Sequence, residues 1–307
     1  MQCYKEIIIE HNGKKNLVPC GHCNFCLQNR RNDWAFRLLQ ENKVSNTSHF
    51  LTLTYDNQHL PFTWEDDYAT GTTLEKKHLY EFHETVKRSQ RRLLKKNYDQ
   101  WKIRYYSVGE YGTRTERPHY HTIMFNLHPI TLSKLQDGMI WGKGRVHSGT
   151  VTPGSVSYVA KYVIDKQTEY KDEWPEEKQK PFNSMSRNPG IGANYLINRD
   201  WHREINDYDP DNFRIYAMQD GKKVRLPRYY KDKIFKETGE WYKDILTTSL
   251  ELHNMQLSEE FEKTYIAQIE ELEEEYGSTL IAIEKYNERK KHHHDSIRIK
   301  SHKLNKL

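Results

Sequence analysis

The sequence predicts an α+β fold. Three observations carry that reading. Ser48–Tyr55 is rich in Thr and aromatic residues and alternates as a half-buried strand does. Ile103–Val108 and His119–Leu127 read as neighbouring strands joined by a Gly-containing loop. Asn29–Asn42 and Leu74–Lys96 have helical periods. The chain has 307 residues, enough for one large domain or two small ones. Only 36% are hydrophobic and 30% are charged, so the core is modest and the solvated surface large.

The elements follow in chain order. In Asn29–Asn42, Trp34 and Leu38, with Ala35 and Leu39 beside them, form the apolar stripe; Asp33 helps begin the helix and Arg30-Arg31 lies at its approach. Asp56–Thr73, with Pro61 and Gly71, reads as a loop over whatever site the sheet carries. Leu74–Lys96 gathers Lys87, Arg88, Arg91, Arg92, Lys95 and Lys96 within ten residues. Such a run is usually a solvated face. Gly-rich Trp141–Val151 contains another strand, and Pro153-Gly154 turns into a helix capped by Ser155 and ending near Asp165. Gln167–Lys180 is a charged surface loop. Phe182–Tyr230 is irregular, with a hairpin around Asp220-Gly221. Glu251–Leu307 is a helical run, acidic at Glu270–Glu275 and basic at Arg289–Lys306, which suits an antiparallel helix contact or a tail on nucleic acid. The boundaries predicted are 1–48 for a Cys-rich element and helix, 49–166 for the core, 167–245 for an extension and 246–307 for a charged helical tail.

Several classes are disfavoured. No apolar run is long enough to span a bilayer. The start, Met1-Gln2-Cys3-Tyr4-Lys5-Glu6, has no signal-peptide apolar region, which predicts a reducing cytosol and no membrane partner. There is no G-x-x-x-x-G-K-[ST] loop, so the chain is not expected to drive strand separation with its own ATPase. The net charge of +5 is mild and hides local segregation.

Two constellations carry chemistry. His119-Tyr120-His121 on a strand puts both imidazoles on one face, as two ligands of a divalent metal, with Glu110 as a third. In Tyr158-Val159-Ala160-Lys161-Tyr162, a helix would put Tyr158 and Tyr162 on one face a turn apart. With 16 histidines and 21 tyrosines, either pattern alone arises readily by chance. A histidine-bound metal followed by a tyrosine pair is far more specific. It is the equipment for cutting a DNA strand and holding its end covalently. A third cluster, Cys3, Cys20, Cys23 and Cys26, holds all four cysteines of the chain. In a reducing compartment this favours a structural Zn²⁺ site over disulfides, with Cys3 or His22 as fourth ligand. The plainer reading is a set of unliganded thiols packed as small hydrophobes. His292-His293-His294 reads as surface polarity.

These motifs resemble those of HUH endonucleases, and more closely those of the rolling-circle replication initiators of Microviridae, gokushovirus type. Phe50-Leu51-Thr52-Leu53-Thr54-Tyr55 is similar to the first family motif, Arg117-Pro118-His119-Tyr120-His121 to the second, and Tyr158-Val159-Ala160-Lys161-Tyr162-Val163 to the third. The stretch Pro19–Cys26, the run Ser184–Gly192 and Pro227-Arg228-Tyr229-Tyr230 are also similar. The resemblance implies a central antiparallel sheet, an RNA-recognition-like core, with flanking helices, an N-terminal Cys-rich element and a C-terminal helical extension. It implies Mg²⁺ or Mn²⁺ at His119, His121 and Glu110. Tyr158 would be the first nucleophile, Lys161 would steady the phosphate, and Tyr162 would act second. Attack would leave a 5′-phosphotyrosine and a 3′-hydroxyl on single-stranded origin DNA. Host helicase and polymerase are the implied partners, and the host cytoplasm the implied place. Arg30, Arg31, Lys87, Arg88, Arg91, Arg92, Lys95 and Arg117 are the candidate DNA contacts. Alternatives are an HUH relaxase, plasmid initiator or transposase, or a non-catalytic zinc-supported DNA-binding protein.

Overall fold

The computed structural model describes residues 3, 7–11, 14–65, 68–160, 174–197, 216–219, 221–236, 259 and 262–303. The chain divides into two compact units, Arg30–Arg199 and the combination of Met1–Asn29 with Asp200–Leu307.

The first unit is built on a five-stranded antiparallel sheet. In chain order its strands are β3 (Ser48–Tyr55), β6 (Arg104–Tyr111), β7 (Pro118–Phe125), β8 (Gly144–Thr150) and β9 (Phe182–Met185), in the spatial order β8-β3-β7-β6-β9. Helix α2 (Lys76–Leu94) links β3 to β6, and α3 (Pro129–Gln136) links β7 to β8. In each case the connected strands are parallel and separated by one antiparallel strand, the split βαβ arrangement. Right-handed crossovers put both helices on the same face of such a sheet. That face holds the main core. Leu51 and Leu53 of β3, with Tyr120 and Met124 of β7, pack with Leu79, Phe82 and Val86 of α2 and Leu135 of α3. The α2 residues recur at three- and four-residue steps, and burying each is worth about 1.5–3 kcal/mol. Gly144 lets β8 close on β3, since a Cβ there would collide with the Thr54 carbonyl oxygen.

The opposite face of the sheet is covered by α1 (Asn24–Val44), which is longer than the predicted 29–42 and starts before Asp33. Its Trp34 ring lies 4.8 Å from that of Tyr106. Glu41 is buried and ion-pairs with Arg104. Arg30 and Arg31 lie within α1 rather than ahead of it.

Two expectations need correcting. Asp56–Thr73 is not only a loop: β4 (Phe62–Glu65) and β5 (Tyr68–Thr72) pair within it. Pro61 and Gly71 punctuate this stretch and mask the strands in the sequence. Phe182–Met185, read as irregular, is an edge strand whose Phe182 stands opposite Gly109. A Cβ on Gly109 would sit 3.0 Å from the Phe182 ring, so the glycine makes room for that packing.

In the second unit, β1 (Ile7–His11) pairs with β2 (Lys14–Val18), and β10 (Tyr216–Gln219) with β11 (Lys222–Arg225). The second pair is the hairpin expected around Asp220-Gly221. Residues 262–276 and Thr279–Lys303 are helices joined at Gly277, whose φ of +73° suits a helix end. They pack through Ile269, Leu272 and Ala282, and Arg289 reaches back to Glu275 at 3.1 Å. The acid-to-base polarity thus serves a helix–helix contact. No helix among the described residues is long and apolar enough to cross a membrane.

Candidate active site

The pleat explains the site. Alternate residues of a strand share a face, so His119 and His121 of β7 project together. In the β6–β7 register Glu110 stands directly opposite His119, and Val108 opposite His121. Thr52 of β3 flanks His121 from the other side. These residues lie on the face away from α2 and α3.

The donors converge. His119 Nε2 lies 2.7 Å and His121 Nε2 3.0 Å from the same Glu110 oxygen, Oε1. All three ligand atoms fall within 4.8 Å of one another. Each outer nitrogen has its own partner: His119 Nδ1 donates to the Arg117 carbonyl at 3.1 Å, and His121 Nδ1 is 3.0 Å from Thr52 Oγ1. Such bonds fix the ring orientation and leave Nε2 as the ligating atom. Glu110 is only 2% exposed. Burial pushes its carboxyl upward, but the hydrogen bonds and charges of His119 and His121 outweigh that and hold it below its ordinary range. Its second oxygen, Oε2, is buried with no hydrogen-bond partner among the described residues. A buried carboxylate oxygen left over beside two convergent imidazoles fits a divalent cation, as does the mixed nitrogen and oxygen donor set.

Residues 153–160 form helix α4. The cap is Thr152 rather than Ser155. Thr152 Oγ1 accepts from Ser155 N at 3.1 Å, and Thr152 N donates to Ser155 Oγ at 2.7 Å. This is a reciprocal cap with proline at the first helical position. The helix delivers Tyr158 to the histidines. Its ring lies 5.3 Å from that of His121, edge-on, and 6.1 Å from that of Phe50. Phe50 also stacks on His121 at 5.2 Å. Lys161 and Tyr162 lie outside the described residues.

The cysteines form a second centre. All four sulfurs lie within 4.8 Å of one another, and none is in a disulfide. A tetrahedron with metal–sulfur bonds of about 2.3 Å has edges of about 3.8 Å. The separations here are 3.6 Å for Cys3–Cys26, 3.7 Å for Cys3–Cys23 and 4.0 Å for Cys20–Cys26. Backbone N–H groups of His22 and Cys23 donate to Cys20 Sγ, and that of Cys20 to Cys3 Sγ. Burial raises the Cys20 thiol, but these amides and neighbouring thiols outweigh it and bring it down to about 7. Burial pushes Cys26 far above the ordinary thiol range. The cluster therefore cannot ionise fully without a cation to neutralise it.

The basic residues fare differently. Arg117 Nη2 donates to the Tyr55 carbonyl at 2.8 Å, tying the β6–β7 loop to β3. Lys87 pairs with Glu84 at 2.8 Å. Arg91 covers the Tyr98 ring. Arg88, Arg92 and Lys95 are exposed, as is Arg30, while Arg31 is half-buried. The α2 set lies on the core side of the sheet, not beside the histidines. Thr52 and Phe50 were not assigned a part in the site from sequence. The alternation of β3 was the available signal, since it puts both on the face of His121.

An antiparallel split-βαβ sheet bearing a His-x-His and carboxylate triad beside a helix tyrosine is what the sequence motifs imply for rolling-circle initiators. Residues 48–167 match the family of the phage replication-associated protein ORF2. The chain is 29% identical over 245 residues to replication-associated protein VP4 of Bdellovibrio phage phiMH2K, covering 73% of this chain and 67% of that one. It is 28% identical over 248 residues to replication-associated protein ORF2 of Spiroplasma virus 4, covering 75% and 71%. With replication-associated protein ORF4 of Chlamydia phage 1 it shares 26% over 240 residues, covering 73% of this chain but 55% of the relative. No solved structure matches the chain. The matches support a rolling-circle initiator of Microviridae type, and the resemblance read from the motifs is borne out.

Proposed function

We propose that the chain initiates rolling-circle replication of a small phage genome, nicking one DNA strand through Tyr158. The observation that carries this reading is Tyr158 packed against His121 in a three-donor cluster. His119, His121 and Glu110 would hold Mg²⁺ or Mn²⁺. A cation bound there neutralises phosphate charge and polarises the phosphorus–oxygen bond. Tyr158 Oη forms a bond to phosphorus as the bond to the 3′ oxygen breaks. The phenol loses its proton, and the leaving oxygen gains one to become a 3′-hydroxyl. The phosphotyrosine conserves the bond energy for rejoining. Lys161 would steady the phosphate, and Tyr162 would act in the second transfer. The 3′-hydroxyl is what a host polymerase extends, and the strand would be opened by a host helicase in the bacterial cytoplasm. The adduct itself is the test: labelled origin single strand, Mn²⁺ and a denaturing gel. A band that needs metal and vanishes when both Tyr158 and Tyr162 are Phe supports the reading. Binding without any adduct, on DNA known to be nicked in the cell, overturns it.

Thr52 acts in this reading by positioning His121. Thr52→Val keeps the shape and removes the hydroxyl. Metal affinity is expected to fall about 10–100-fold. Mn²⁺ titration checks this, and Thr52→Ser should restore most of it. Equal affinity in Thr52→Val would sink the positioning role.

For the cysteines, the proposed occupant is a structural Zn²⁺. One equivalent should be found by elemental analysis of the purified protein, and Cys26→Ser should lose it together with thermal stability. Zinc-free protein with unchanged melting would return the cluster to packed thiols.

A further inference from the structure

The basic face of α2 lies on the side of the sheet away from the metal triad. Between α2 and α3 is a groove of about 420 Å³ lined by Thr85, Arg88, Ser89, Arg92, Leu93 and Lys134. Three cations and two hydroxyls line it, and no carboxylate does. Arg88, Arg92 and Lys134 make no ion pair among the described residues. Glu84, one turn before Arg88 on α2, is engaged by Lys87. Arg88 and Arg92 are spaced one helical turn apart, about 6 Å along the axis.

We propose that this groove binds the phosphate backbone of duplex DNA flanking the nick site, as a second DNA surface on the reverse of the catalytic sheet. Guanidinium forks and hydroxyls are the donors that recognise phosphate oxygens. The strand to be cut must reach Tyr158 on the other face, so it cannot also fill this groove at that point. Sites for unpaired strands add aromatic rings on which bases stack. No ring is among the groove's lining residues, which leaves backbone contacts alone, and those suit a duplex. This rests on reading the chain as an origin-binding protein.

The test uses the full chain with Arg88, Arg92 and Lys134 all changed to Ala. Fluorescence anisotropy over a salt series compares a labelled duplex of about 30 base pairs with an oligo-dT of equal length, both long enough to exceed a single contact site. For the duplex, the slope of log affinity against log salt should fall by about 3, one for each lost phosphate contact. Affinity at about 0.15 M salt should drop at least tenfold. Nicking of a short single strand without flanking duplex should be unchanged, and melting should confirm an intact fold. Unchanged duplex affinity overturns the proposal. So does an equal loss on oligo-dT, which would make the groove a single-strand site. Loss confined to binding of poly-glutamate would make it a protein-docking surface and also overturn it. If the wild-type chain nicks nothing, the catalytic reading fails while the anisotropy still decides the groove.

Discussion

Tyr158→Phe is expected to reduce formation of the first protein–DNA adduct by roughly a thousandfold or more, the scale seen when a covalent nucleophile is removed. The substitution is specific. The Phe ring can keep its contacts with His121 and Phe50, 5.3 Å and 6.1 Å away, so the local packing survives. Only the oxygen that attacks phosphorus is lost. Metal binding and melting temperature should therefore stay at wild-type levels, which separates a chemical loss from a structural one. Residual adduct should map to a peptide carrying Tyr162. An undiminished adduct on Tyr158→Phe, mapped to any other residue, would remove Tyr158 from the reaction.

The second large effect is expected at His121. His121→Ala should weaken Mn²⁺ binding by more than about a hundredfold, beyond the range for losing a supporting hydrogen bond, and should abolish nicking. His121 is 6% exposed and sits among Thr52, Phe50, Glu110 and Tyr158. Its removal takes one ligand from the cluster and one counter-charge from a buried carboxylate. A carboxylate stripped of a partner in that position costs stability as well. His121→Ala should thus melt earlier, whereas Thr52→Val should lose affinity with little change in melting. Titration with Mn²⁺ and a thermal melt, run on the same preparations, check both. Unchanged Mn²⁺ affinity in His121→Ala would mean that the cation sits elsewhere.

Much of the site was legible because a strand has a period of two. His119 and His121 share a face on any strand, and a short connection puts a residue near the end of β6 beside the start of β7. Glu110 could be placed on that ground alone. The start of α4 was legible from Pro153-Gly154, although the cap proved to be Thr152. Other features depend on contacts distant in sequence. Thr52 meets His121 across 69 residues, and nothing local marks that bond. The basic face of α2 seemed a neighbour of the site because it precedes it in sequence. The handedness of the crossover decides otherwise, since it puts α2 on the face of Leu51 and Leu53. Strand β9 has only four residues and pairs at a sheet edge, so its alternation was too short to read. The paired segments β4 and β5 were lost in turn-forming composition, and a register shift between Thr63 and Trp64 breaks their pattern further.

Glu110 faces His119 because of how β6 and β7 pair, while the nine-residue interval between them is mostly loop. Chemistry therefore constrains the pairing and leaves the interval unconstrained. Related chains can lengthen or shorten residues 112–117 and keep the same triad, so a search that fixes that spacing will miss true relatives. A single-residue deletion inside either strand is the opposite case: it turns the acid or the histidines toward the hydrophobic core and disarms the site at one stroke.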